Sequence, residues 1–469
     1  MKRFQQTTRL LAVVALPAVL FAACSHGSGS SAVPGGSVNA PSGQTRHTKE
    51  VSAADLHAGG ATFPGIAYMG GAGNQPVGLY TAAQTLPSAS SLFGVAPTTG
   101  NIYYCLTGSG AGRNEFTGAT SISTSACAAA GTTTTGFGSH SSLLDFVGSD
   151  AALTPSNYTA YASNRKSTQG EPMEFPVIAG AVSFAYRKAD FTIAATPSNP
   201  LAQMKLSTAT FCKIAAGQIT DWNDAAIQTD NGGSITGGVS KPISNFFFRS
   251  DGSGTSLIFQ TALAAQCPSG TWTFGAGTTW KGPTTSEFVG KSGNPGIASA
   301  IAATTNSTGY IEAAYGLSLT PHLGQAQLMN SSGNYASPTD ATALAHAVNN
   351  VTSSNITFGG ADNGDGTGFG ESLGTSRTEC VFYLSPALFS NPSASDAYPI
   401  VGPSYFDFYT TNNVHTADVE ELVKFVTGHD STARPTLGTG ATTGYTYLDS
   451  SITDAVWNQQ NGLNPCITS

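Results

Sequence analysis

Apolar residues in this chain fall into short runs set between glycine-rich turns, and the spacing within the runs alternates between two periods. Phe246, Phe247 and Phe248 end a run that reads as a strand; beyond it Leu257, Ile258, Ala262 and Ala265 keep helical spacing. Residues 102–106 and 144–150 read as further strands. Residues 175–186 are a continuous apolar run of strand length, the pattern of a strand buried in a parallel sheet. Residues 206–217, 297–303, 419–426 and 448–457 read as helices, 309–315 as a strand running into a helix, and 405–409 as another strand. Strands alternating with helices give an α/β fold class. Residues 70–97 carry so many Gly, Pro and Ser that any helix there is short or broken, and 117–142 reads as a polar surface insertion.

The start of the chain departs from this rhythm. Lys2, Arg3 and Arg9 precede an apolar stretch at 10–22, the pattern of a secretory signal too short for an ordinary membrane span. It ends Leu20-Phe21-Ala22-Ala23-Cys24, similar to a bacterial lipobox although Phe21 stands where leucine is usual. Residues 1–23 are therefore expected to be a signal peptide and Cys24 a lipidation site. Residues 24–54 are rich in Ser, Gly and Pro without hydrophobic period, which predicts a flexible tether. An exported chain changes how cysteines are read. Beyond Cys24 there are six, Cys105, Cys127, Cys212, Cys267, Cys380 and Cys466, an even number that suggests disulfides but leaves 15 pairings open. None has CxxC or CxH spacing, so no zinc site is expected.

Length and charge narrow the field. The 469 residues leave room for two or three lobes, and a net charge of −8 without any Lys/Arg-rich run argues against a nucleic-acid partner. An anion site in such a chain has to work through local dipoles and hydrogen bonds. Arg249-Ser250-Asp251-Gly252-Ser253-Gly254-Thr255, between the strand ending at Phe248 and the helix that follows, has the parts for one. Ser253 stands at the helix N-cap, the first helical amides lack intrahelical acceptors, the glycines allow close approach, and Arg249 supplies a planar fork. The plain alternative is a strand-turn-helix with an exposed arginine. Gly59–Pro64 and Thr107–Arg113 are two more glycine-rich turns, the second not GxGxxG, and Asp150 alone reads as a turn or cap residue.

Taken in order, GGATFP (59–64), GSGAG (108–112), GSDAALT (148–154), PVIAGAVSFAY (176–186), LSTATFCKIAAGQITDWND (206–224), RSDGSGTS (249–256), VGKSGNPGIA (289–298), GYIEAAYG (309–316) and AYPI (397–400) resemble PstS-type phosphate-binding proteins of phosphate ABC transporters and their exported relatives, the DING proteins. The resemblance implies a two-lobed periplasmic-binding-protein fold (type II), with two mixed-sheet lobes joined by a two-crossover hinge and phosphate in the cleft. Lobe one would hold 55–176 and 400–469, lobe two 177–399, with crossovers at 176–186 and near 400. The implied phosphate ligands are Thr62, Phe63, Ser109, Asp150, Arg249, Ser253, Gly254 and Thr255. Phe63 and Gly254 would offer amides, Thr62, Ser109, Ser253 and Thr255 hydroxyls, and Arg249 two charged donors, with Asp251 holding the arginine. Asp150 would be the filter: an ionised carboxylate only accepts hydrogen bonds, so it suits hydrogen phosphate and not proton-free sulfate. The resemblance also implies a Cys212–Cys267 disulfide; beside it, Cys105–Cys127 and Cys380–Cys466 are expected as the remaining pairs. It implies inorganic phosphate and a transporter permease as partners, a membrane link through Cys24, a monomer in the periplasm or on the outer face of the cell membrane, and no cofactor or metal. The chain departs from the family pattern at 70–100, 117–142 and 320–395.

An enzyme is the competing class. A phosphatase or esterase elbow needs G-x-S-x-G, and Asp251 occupies the first glycine's place before Ser253. His26, His47, His57, His140, His322, His346, His415 and His429 all fall outside the matched motifs, and no paired carboxylates adjoin a ligand turn in sequence. Gly290-Lys291-Ser292 imitates the end of a Walker A loop, but Thr285 stands where its first glycine belongs. Residues 362–366 (DNGDG) resemble a calcium loop only faintly and read as a solvated turn. The enzyme alternative is thus a DING-like exported phosphatase, and a third class is a phosphate-sensing or surface interaction protein that keeps the fold without a transporter.

Overall fold

Among the described residues ten strands join in one mixed sheet. They are β1 (Leu56–Gly60), β2 (Ile102–Leu106), β3 (Phe146–Ser149), β4 (Pro172–Tyr186), β5 (Phe246–Arg249), β6 (Phe288–Lys291), β7 (Thr308–Glu312), β8 (Gly324–Gln325), β9 (Val401–Tyr409) and β10 (Tyr445–Tyr447). Their order is β2-β1-β3-β9-β4-β7-β5-β6, with β8 and β10 also pairing with β4. The computed structural model describes residues 55–72, 75–76, 86–119, 143–197, 199–364 and 368–468. The signal, the tether with Cys24, and the insertion from residue 120 to 142 lie outside these.

β4 organises the sheet. All fifteen of its residues are buried, as the unbroken apolar run predicts. Residues 172–181 pair with β9 and residues 182–186 with β7, so one strand serves two half-sheets. At the handover the Val182 amide donates to the Ile400 carbonyl at 2.9 Å, where the chain makes its return crossing. This is the two-lobed α/β fold with two crossings. The expectation of a parallel strand at 175–186 is corrected: β4 is antiparallel to β7, β8, β9 and β10. Two-faced burial makes an apolar run whatever the direction of the neighbours.

Two large buried clusters pack on the sheet, and the one centred on the first half-sheet also takes in Phe247, Ile297 and Ile311 from the second. Leu56, Ile66, Ile102, Phe146, Phe175, Phe406 and Val423 cluster around the first, and Phe184, Leu206, Trp222, Phe246, Phe259 and Tyr310 around the second. The helices expected at 206–217, 419–426 and 448–457 are Thr208–Ala215, Thr416–Val426 and Ser450–Gln460. Cys212 and Cys267 form a disulfide, Cα atoms 5.6 Å apart, as do Cys380 and Cys466 at the same separation. Cys105 is disulfide-bonded, while Cys127 lies outside the described residues. Residues 357–383, expected within lobe two, pack on the first half-sheet instead. Val381 bridges Glu174 in β4, and Ala361, Leu373 and Val381 share a buried cluster with Tyr103, Leu144 and Tyr158. Those apolar side chains, within the 320–395 departure from the family pattern, find their cover there. Among the described residues no helix is long and apolar enough to cross a membrane.

Candidate functional site

Parallel pairing decides where the turns gather. β1 lies parallel to β2 and β3, so the turns that leave their C-terminal ends come off one edge. Those turns carry Thr62 and Phe63, Ser109, and Asp150. β5 lies parallel to β6 and β7, which brings the turns holding 250–253 and 292–293 to a second edge. Open α/β sheets bind ligands beyond such carboxyl ends. The first edge is sewn together by the Gly108 amide on the Gly60 carbonyl at 2.7 Å and the Ala61 amide on Gly148 at 2.8 Å. Gly60 sits at φ +124°, and a Cβ on it would lie 2.1 Å from the Gly148 oxygen, so no side chain fits.

On the second edge β5 turns into helix Gly254–Gln266, hereafter α1. Ser253 is its N-cap, in extended backbone, its hydroxyl accepting from the Ser256 amide at 3.2 Å. Arg249 is buried, not exposed. Its Nε donates to Asp251 Oδ1 at 2.7 Å, Nη2 to Asp251 Oδ2, and Nη1 to Thr255 Oγ1 at 3.3 Å. A guanidinium has five N–H groups, so one hydrogen on each terminal nitrogen remains, an end-on pair suited to an oxyanion. Burial disfavours ionisation of Asp251, but the charge and hydrogen bonds of Arg249 and the Gly293 amide, 3.0 Å away, outweigh it and hold the carboxyl below its usual range.

The two edges meet. Ser109 opens helix Ser109–Thr117, and its hydroxyl accepts from the Gly254 amide at 3.3 Å and the Asp150 amide at 3.2 Å. With both lone pairs filled it donates its one hydrogen to Asp150 Oδ2 at 3.3 Å. The Ser109 hydroxyl, expected to serve a ligand, is therefore spent within the protein in this arrangement. The Gly110 amide donates to the Gly252 carbonyl at 2.9 Å. A Cβ on Gly254 would lie 2.4 Å from the Asp150 main chain, so glycine is what permits this approach. Thr62 accepts from Asn294, while the carbonyls of Thr62 and Phe63 are taken by the hydroxyls of Tyr315 and Tyr445. The eight expected ligand residues thus lie buried on the turns of the two edges where these meet.

Asp150 is fully buried among these donors. Burial pushes its carboxyl up to about 7, against the pull of Ser404, Arg249, Ser109 and Arg113. Ser404 donates to Oδ1 at 3.0 Å, so each carboxylate oxygen has one hydroxyl donor and one lone pair to spare. Behind it Arg113 donates to the Ala151 and Ala152 carbonyls at 3.2 and 2.9 Å. Glu174 accepts from the Leu153 amide at 2.7 Å and stands opposite Asp407 across the β4–β9 ladder. Burial, then the neighbouring Asp407, raises Glu174 well above the carboxylate range; burial likewise raises Asp407 to about 7. Among the described residues neither Asp407 oxygen nor Glu174 Oε1 meets a hydrogen-bond partner, which fits the raised, proton-holding carboxyls. No paired carboxylates adjoin a ligand turn in sequence; 233 residues separate the members of this pair, so only the β4–β9 register reveals it.

Sequence reasoning also missed Asn294 and Ser404. Asn294 lies inside the VGKSGNPGIA match but carries no charge or motif role that marks it; Ser404 is one polar residue in a buried strand. Asp362, expected in a solvated turn, is buried, and accepts from the Gly364 amide at 2.7 Å. Among the described residues no group of three or more His, Cys, Asp or Glu could hold a metal ion. His322, His346, His415 and His429 pair with Leu319, Asp396, Asp145 and Asp454, away from the cleft.

Comparison with known proteins bears on the family and the fold. The profile of the PBP superfamily domain matches residues 71–430. The phosphate-binding protein PstS 3 of Mycobacterium leprae is 29% identical over 304 residues, 64% of this chain and 64% of that protein. Alkaline phosphatase L of Pseudomonas aeruginosa is 29% identical over 250 residues, 52% of this chain and 56% of that protein. The phosphate-binding protein PstS of Methanocaldococcus jannaschii is 32% identical over 190 residues, 40% and 46% of the two chains. This chain thus spans about half to nearly two thirds of the length of these relatives. The fold is that of the solved periplasmic phosphate-binding protein PfluDING, bound with phosphate, at a TM-score of 0.58 and 20% identity over 88% of this chain and 96% of that one. The ancestral soluble variant of the human phosphate-binding protein superposes with a TM-score of 0.59 at the same identity and coverage. The chain belongs to the PBP superfamily, within which it resembles the PstS-type phosphate-binding proteins.

Proposed function

We propose that this protein binds inorganic phosphate in the cleft between the two edges and delivers it to an ABC transporter. The observation that carries the reading is the balance of donors and acceptors. The Arg249 end and the hydroxyls of Thr62 and Thr255 are donors, whereas the Gly254 amide, expected to serve the ligand, is taken by Ser109; one carboxyl, Asp150, acceptor-only when ionised, stands among them. Donors alone would suit any oxyanion; a carboxylate among them suits one that still carries a proton. The relatives named phosphate-binding proteins point the same way. On this reading Thr62, Phe63, Ser109, Asp150, Arg249, Ser253, Gly254 and Thr255 line the site and no cofactor or metal takes part. In this proposal Ser109 contributes its amide. Lobe one is 55–176 and 400–469 together with 357–383, and the rest of 177–399 is lobe two. The chain is exported, anchored through a lipid on Cys24, and works as a monomer beside a permease. Calorimetric titration of phosphate-free protein tests the binding.

The likeness to a protein named alkaline phosphatase L favours one further reading, an exported phosphatase. The Ser253 hydroxyl accepts from the Ser256 amide as the cap of α1, and His322, His346, His415 and His429, the potential bases, have partners outside the cleft. Release of phosphate from p-nitrophenyl phosphate by the purified chain would favour the phosphatase, and its absence the binding protein.

A further inference from the structure

We propose that Asn294 is a positioning residue that fixes the hydrogen-bond polarity of the cleft, making Thr62 and Thr255 obligate donors; this rests on the phosphate-binding reading. Asn294 is the second residue of helix Gly293–Ala303 and is completely buried. The Glu312 amide donates to its Oδ1 at 2.9 Å, which settles which end of the side-chain amide is which. The two Nδ2 hydrogens then go to Thr62 Oγ1 at 3.0 Å and to Thr255 Oγ1 at 3.2 Å. Thr62 Oγ1 also accepts from the Asn294 main-chain amide at 3.1 Å, and Thr255 Oγ1 from Arg249 Nη1 at 3.3 Å.

A hydroxyl has one hydrogen and two lone pairs. Both lone pairs of Thr62 and both of Thr255 are filled, and among the described residues neither hydroxyl donates. The one hydrogen-bonding capacity each has left is its hydrogen. Asn294 therefore sets the direction of two hydroxyls that come from opposite edges, and a bound anion meets two donors with no freedom to turn round and present lone pairs. The same three bonds tie Thr62 on the first edge to Thr255 on the second, so the polarity is fixed in the closed arrangement. Without Asn294 each hydroxyl regains a lone pair and can rotate, and the anion loses oriented donors without losing a group that touches it.

The test is a double-mutant cycle on phosphate affinity, read by calorimetry on refolded, phosphate-free, full-length protein, with melting curves to show that each variant folds. The variants are N294A, T62V/T255V and the combination of all three. Each oriented hydrogen bond to a charged group is worth roughly a factor of ten or more, so N294A is expected to weaken binding about 10- to 100-fold in the parent. In the T62V/T255V background, where there are no hydroxyls to orient, N294A is expected to cost less than about 3-fold. Equal losses in both backgrounds would mean that Asn294 only props the fold, and would overturn the inference while leaving phosphate binding intact. No phosphate binding by the folded parent would overturn the binding reading and the inference with it. If N294A does not fold, N294S, small and polar, takes its place in the same cycle under the same two outcomes.

Discussion

Replacing Asp150 with asparagine exchanges one oxygen for an NH2 group in the cleft, and it should change which anions are admitted more than how well phosphate is held. In the parent, Ser404 and Ser109 each use one lone pair of the carboxylate, and one on each oxygen is left for the ligand. Hydrogen phosphate can fill one with its own O–H; sulfate sets acceptor against acceptor in a buried site. An unpaired buried polar group costs roughly 1–3 kcal/mol, more when charged, a floor of about 5- to 150-fold against sulfate. Asp150→Asn supplies a donor. The Ser109 hydroxyl can give its hydrogen only to an acceptor, so the amide oxygen should stay on that side and the NH2 should turn toward Ser404. The parent offers an internal control, since burial pushes Asp150 up to about 7. Below that pH the protonated acid can itself donate, so sulfate should compete measurably with phosphate at about pH 5.5 and not at about pH 8.5; in Asp150→Asn the competition should follow only the ionisation of phosphate itself. Arg249→Ala, which removes charged donors and not a filter, should weaken phosphate and sulfate alike. Competition calorimetry at the two pH values reads all of this. If Asp150→Asn rejects sulfate at about pH 8.5 as strongly as the parent, Asp150 is not the filter and its carboxylate serves the fold.

Three more outcomes are expected. The ligand-free native state holds the Asp150 proton more tightly than the unfolded chain, since the pKa rises from 3.8 to about 7; stability should therefore be greatest below about pH 4 and fall as pH rises to about 7, by at most on the order of 4 kcal/mol from this group. Glu174 and Asp407 act in the same direction, so the measure is the difference between the urea unfolding curves of parent and Asp150→Asn, and a constant difference across that range would refute the assignment. Gly254→Ala sets a methyl 2.4 Å from the Asp150 main chain, so it should hold the edges apart and weaken phosphate at least about 10-fold in a protein that still folds; unchanged affinity would show that the edges need not meet. Replacing Cys212 and Cys267 by alanine opens a 55-residue loop and should cost about 4 kcal/mol in the chain-entropy estimate, with little change in affinity for the folded fraction, as read by denaturant titration.

What could be read along the chain was local. The N-cap at Ser253, the strand before it and the Arg249–Asp251 pair span a few residues, where spacing alone dictates which groups can touch. The Cys212–Cys267 bridge was accessible only through family resemblance, because six cysteines leave the pairing open. The direction of β4 was not legible, since burial on both faces produces the same apolar run in parallel and antiparallel sheets. Asn294 is 232 residues from Thr62 and Ser404 is 254 from Asp150, and both earn their place through what the sheet brings near them. Residues 357–383 misled for a related reason: family order put them in lobe two, while their apolar side chains found cover on the other half-sheet.

The most direct test of the central claim is calorimetric titration of inorganic phosphate into mature protein that has been unfolded, freed of phosphate and refolded. Binding of one phosphate per chain with micromolar or tighter affinity is the result expected from a buried cleft of oriented donors facing one carboxylate. No heat at millimolar phosphate, from a sample shown to be folded by circular dichroism and melting, would contradict it.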